Sequence, residues 1–95
     1  MSLSPEKLKL LKKQSHSLNP VVLLGAKGLT EAVQQEINVA LGVHELIKIR
    51  VNALDRAERT EIITQICTAQ QAELVQQIGH LAVIYRKRPD KDKAK

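Results

Sequence analysis

Hydrophobic positions along the chain change their period several times, and each change marks an element. Ser4-Pro5-Glu6 reads as a helix start, with a capping serine, a proline at the first helical position and an acid in the first turn. On a helical wheel Leu3, Leu10, Leu11 and Leu18 gather on one side, while Lys9, Lys12, Lys13 and His16 fall nearly opposite. Asn19-Pro20 ends that helix, and Val21 to Leu24 has the apolar character of a strand buried on at least one face. After a turn from Gly25 to Leu29, Thr30 is placed to cap a helix whose inward face is Val33, Ile37, Ala40 and Leu41, with Gly42 as its expected stop. Glu45 to Val51 alternates: Ile47, Ile49 and Val51 share one face, and His44, Leu46, Lys48 and Arg50 share the other. Asp55 followed by Glu58 is a capping-box pattern ahead of a helix that turns Ile62, Ile63, Ile66 and Cys67 inward. Leu74, Gln76 and Ile78 then alternate with Val75 and Gln77, Gly79-His80 is a turn, and Leu81 to Arg86 is a last strand.

The resulting order, α-β-α-β-α-β-β, predicts an α/β domain of the two-layer α+β type. Two strand-helix-strand units make much of the sheet parallel, and the closing hairpin makes one strand run against the rest. With 95 residues there is room for one domain, assigned to residues 1–88. Residues 89–95 contain no apolar residue but Ala94 and read as a disordered basic tail.

Composition narrows the function classes. Tyr85 is the only aromatic residue, so the core is aliphatic, and a reading that needs bases stacked on aromatic rings is weakened. A single cysteine rules out an internal disulfide and a cysteine metal cluster. Lys7, Lys9, Lys12 and Lys13 interrupt any signal-peptide core, and no run approaches the roughly 18 apolar residues of a membrane span. A cytoplasmic protein is the expectation. The net charge of +5 is uneven: residues 1–18 hold four lysines and one glutamate, and residues 86–95 hold six basic and two acidic residues. The segment between them has five basic and seven acidic residues. Basic ends on a slightly acidic body suit an anionic partner, although such charge also serves solubility.

The stretch LLGAKGLT, residues 23–30, carries the main candidate chemistry. It has too few residues between its glycines for a P-loop and one glycine too few for the dinucleotide fingerprint. What remains is Gly-x-x-Gly between a strand and a helix N-terminus. There the backbone can approach an anion closely, free N–H groups point outward, and Lys27 adds a full charge. Read from the residues alone, the loop is either a structural turn or a phosphate contact. The lysine stripe is likewise either a solvated face or a binding surface; a membrane-lying helix would want an aromatic anchor that is missing here. Lys48 with Arg50, and Arg86, Lys87 and Arg88, add further basic positions. Catalysis finds little support. Cys67 falls on an apolar helix face, His16, His44 and His80 lie in three different elements, and Asp55 and Glu58 are accounted for by the helix cap. No cofactor, metal or small-molecule substrate is implied.

VVLLGAKGLTEAVQQEINVAL, HELIKIRV and the closing QQIGHLAVIYRKR resemble the CRM domain, the chloroplast RNA splicing and ribosome maturation module, in its stand-alone bacterial YhbY-like form. The resemblance covers roughly residues 3–88. It implies a fold like the C-terminal domain of the third bacterial translation initiation factor, a mixed four-stranded sheet with helices on one side. It also implies RNA binding and association with precursors of the large ribosomal subunit. Carried over, the loop is Gly25, Ala26, Lys27 and Gly28, and the basic positions are Lys9, Lys12, Lys13, Lys48, Arg50, Arg86 and Arg88. The expectation is therefore a monomeric, non-enzymatic RNA-binding protein of ribosome assembly, with ribosomal RNA as partner. The alternative is a module that docks on an acidic assembly or translation factor.

Overall fold

The computed structural model describes residues 3–25, 28–52 and 55–87. The expectations for Ala26, Lys27, Arg88 and the 89–95 tail lie outside the described residues. Seven elements follow in the expected order: α1 (Pro5–Ser15), β1 (Pro20–Leu24), α2 (Glu31–His44), β2 (Leu46–Val51), α3 (Arg56–Gln70), β3 (Glu73–Ile78) and β4 (Leu81–Tyr85). The fold is α+β around a mixed four-stranded sheet of order β1-β2-β4-β3. β1 and β2 pair in parallel, while β4 pairs antiparallel with both β2 and β3. One strand does run against the rest. Because that strand inserts between β2 and β3, only one of the pairings is parallel, fewer than the two crossovers suggest.

The caps form as the side chains dictate. Lys7 N–H donates to Ser4 Oγ, Val33 N–H to Thr30 Oγ1 and Glu58 N–H to Asp55 Oδ1, at 3.1, 3.2 and 2.8 Å. Gly42 does not stop α2, which continues to His44, so His44 belongs to the helix and not to the β2 face. The reversal falls instead on Glu45, at φ 66°, whose carbonyl accepts from Arg86 N–H at 2.9 Å. Gln71 ends α3 in the left-handed conformation, at φ 55° and ψ 43°. A side chain there is strained by about 1 kcal/mol, so Gln71→Gly should raise stability by up to about 1 kcal/mol in denaturant titration.

Alternation along β2 divides the core in two. Ile47, Ile49 and Val51 face α2 and α3 and pack with Ile37, Leu41, Ile63 and Ile66. Leu46 faces the other way and packs with Leu11 of α1, Val75 of β3 and Val83 of β4. The helices are therefore not all on one side: α2 and α3 cover one face, and α1 covers part of the other. The physical reason is the apolar trio Leu46, Val75 and Val83, which would otherwise stand in water. α1 seats Leu8 and Leu11 there, with Leu3 and Leu18 flanking, and leaves Leu10 48% exposed. Ser15, also on the inward side, is buried and returns its hydroxyl to Lys12 O at 2.7 Å.

Candidate nucleic-acid interface

The turn after β1 is closed by a hydrogen bond, Gly28 N–H to Gly25 O at 3.0 Å. Gly28 stands at φ 73°, which a side chain rarely adopts, whereas Gly25 is exposed and a Cβ added to it would meet nothing within 4 Å. The turn leads into Thr30 and the N-terminus of α2, so helix-start amides and the dipole's positive end lie beside it. Glu31 in the first turn offsets part of that positive potential. Asn52 N–H donates to Leu24 O and Val51 N–H to His80 O, so the end of β2 and the β3–β4 turn flank the same end of the sheet.

Lys48 and Arg50 project from the sheet face that α1 covers in part. Their partners across the sheet are Val83 and Leu81, and Val83 packs against α1. Lys9, Lys12 and Lys13 are exposed on α1. With Leu8 and Leu11 held against the sheet, Lys9 and Lys13 point away from it, in the same direction as Lys48 and Arg50. Four of the expected basic residues, Lys9, Lys13, Lys48 and Arg50, thus stand on one side of the molecule, with Lys12 at its border. The opposite layer has no such excess: α2 carries two glutamates and no lysine or arginine, and α3 balances two arginines with two glutamates. Arg50 is steadied by its Nε, which donates to Asn52 Oδ1 at 3.2 Å.

Arg86 does not join this surface. Its Nη1 donates to Asn38 Oδ1 at 3.0 Å and to Gln70 Oε1 and O at 3.2 and 3.4 Å, and its Nη2 donates to Asn38 O at 3.1 Å. Gln70 Nε2 in turn donates to Gln34 Oε1 and O at 2.8 and 3.0 Å. The guanidinium thus ties the end of β4 to α2 and α3, the layer opposite Lys9, Lys13, Lys48 and Arg50. Nothing local in the sequence marks this, because its partners lie 16 and 48 residues away.

Two features of the basic side escaped the sequence reading. Val21 and Leu23 of β1 are 49% and 61% exposed, and Leu23 pairs with Arg50, so apolar surface adjoins the cations. The alternating burial of β1 was hidden because every side chain from Val21 to Leu24 is apolar. Tyr85, read as a lone aromatic, has the ammonium of Lys7 over its ring at 5.2 Å from the centroid. As for nucleophiles, burial, with a smaller contribution from the charge of Glu73, pushes the Cys67 thiol up to about 11, so it stays protonated at neutral pH. Among the described residues, no cluster of His, Cys, Asp or Glu could hold a metal ion, and no helix is long and apolar enough to cross a membrane.

Residues 3–86 match the CRS1/YhbY (CRM) domain, so the chain belongs to that family. It is 48% identical over 85 residues to an RNA-binding protein of Haemophilus influenzae, covering 90% of this chain and 86% of that protein. It is 39% identical over 93 residues to the Probable RNA-binding protein PA4753 of Pseudomonas aeruginosa, covering 98% and 89% of the two chains. The solution structure of the hypothetical protein SAV1595 from Staphylococcus aureus superposes with a TM-score of 0.80 at 30% identity, covering 90% of each chain.

Proposed function

We propose that this chain is a non-enzymatic RNA-binding protein of the cytoplasm that acts as a monomer in assembly of the large ribosomal subunit. The observation that carries RNA binding is the gathering of Lys9, Lys13, Lys48 and Arg50 on one side of a fold whose relatives are named for RNA binding. Lys12 borders that surface. The Gly25–Gly28 segment, with Ala26 and Lys27 between, lets an RNA backbone approach the start of α2, and the lysines neutralise phosphates. Arg88, the last residue of the 1–88 domain, and the basic 89–95 tail add further positive charge. Arg86 is left out of the contact set because its guanidinium is engaged by Asn38 and Gln70.

A backbone-directed mode of this kind depends on salt. The slope of log affinity against log salt should fall by about 0.7–0.9 for each phosphate contact removed, for instance in Lys48→Gln or Arg50→Gln. A flat salt response would sink the electrostatic account. The assembly role is tested by sedimenting a tagged copy from lysate at low magnesium, with and without RNase. Travel with large-subunit precursors and release by RNase support it; a copy that stays at the top of the gradient does not.

A second reading is a protein-interaction module docking on an acidic factor. Docking on a protein is favoured by an apolar groove between the edge strand β1 and α2, where Val21, Val39 and Val43 stand about half or more exposed, while the acidic character of the partner rests on the basic surface alone. A complex that survives RNase would belong to this reading.

A further inference from the structure

Tyr85 lines a cleft of ≈ 630 Å³ bounded by Lys7 and Ser4 at the start of α1, Asn38 of α2, and Arg86 and Lys87 after β4. The cleft lies at the other end of the sheet from the glycine turn. Tyr85 pairs with Leu46, the first residue of β2, while Leu24, which precedes the turn, pairs with Val51, the last. A six-residue strand separates the two ends by roughly 17 Å. Three cations stand against one acid in the lining, Glu73, and Arg86 is held against the wall by its bonds to Asn38 and Gln70.

We infer that this cleft takes a single nucleotide, with its base on the Tyr85 ring and its phosphate beside Lys7 and Lys87. The volume lies within the range that small organic ligands fill. The chain's one aromatic ring stands here, half-buried against the α1 cluster. Lys7 already occupies a π-face of that ring, the kind of face on which a base stacks. An ammonium displaced by an arriving base is then next to the phosphate that the base carries. The inference rests on the RNA-binding reading for its source, a nucleotide within a single strand; a free nucleotide presents the same chemistry.

The test is amide and side-chain NMR of the full chain, titrated with each of the four nucleoside 5′-monophosphates, with the matching nucleosides and with a short single-stranded RNA. A monophosphate should shift the Tyr85 and Lys7 resonances saturably. Tyr85→Leu, which keeps apolar bulk, should weaken that binding about tenfold. Lys7→Ala, at an exposed position, should remove the advantage of monophosphate over nucleoside, while the nucleoside, with no ammonium to displace from the ring, should bind at least as well as to the parent. If the oligonucleotide shifts the same resonances and loses affinity in Tyr85→Leu, the RNA strand supplies the nucleotide. If only the monophosphates do so, the cleft serves a free nucleotide. If no monophosphate shifts the cleft resonances, the inference is overturned, and RNA binding that persists at the glycine turn leaves the broader reading standing.

Discussion

Replacing Gly25 by Asp should lower RNA affinity about tenfold or more while leaving the thermal midpoint nearly unchanged. The position allows a clean test. Gly25 is exposed, its backbone lies outside the left-handed region, and an added Cβ meets nothing. A carboxylate at the mouth of a phosphate site, about 5 Å from an anion at an effective dielectric constant near 50, costs on the order of 1.3 kcal/mol by repulsion alone. It also bars close approach of the backbone. Gly28 is the weaker choice: at φ 73° an Asp there strains the turn by about 1–2 kcal/mol, which confounds binding with folding. Asn carries a similar backbone strain without the charge, so Gly28→Asn beside Gly28→Asp separates strain from repulsion at that position. Filter binding or fluorescence anisotropy at low salt, paired with a melt, reads both quantities. Unchanged affinity in Gly25→Asp would reduce the loop to a turn.

Arg86→Ala carries the largest expected effect on stability, a loss of about 2–4 kcal/mol. The variant removes hydrogen bonds from a charged donor to Asn38 and Gln70 and leaves the part-buried Gln70 acceptors without that partner, the Asn38 bonds being exposed. For a domain of this size the melting midpoint should fall by roughly 10–20 °C. Arg86→Lys should recover little, because one ammonium cannot span the two helices as the planar fork does. RNA affinity, measured where the variant is still folded, should change less than twofold. A variant that melts like the parent but fails to bind RNA would return Arg86 to the binding surface.

The contrast between Arg50 and Arg86 shows what could be read in the sequence. Arg50 was legible because strand alternation is local: Ile47, Ile49 and Val51 fix the buried face, and Lys48 and Arg50 must take the other. Caps were legible for the same reason, as Ser4, Thr30 and Asp55 act within three residues of themselves. Arg86 sits at the end of a strand and looked like one more exposed cation. Its role is set by α2 and α3, whose distance from it is a property of the fold. The position of α1 was hidden too. Leu8, Leu10 and Leu11 all favour an apolar side, and the choice between Leu8 and Leu10 is made by Leu46, Val75 and Val83 on the sheet beneath. Likewise the hairpin fixed β4 beside β3 but left open which neighbour β2 would take.

Mapping the RNA contact by amide chemical-shift perturbation tests the central claim most directly. With a single-stranded or duplex RNA at low salt, the account predicts shifts concentrated on the outward face of α1, on Lys48 and Arg50 of β2, and at Gly25 and Gly28. The outer faces of α2 and α3 should stay silent. Shifts concentrated on α2 and α3, or none at all with RNAs of either kind, would contradict it.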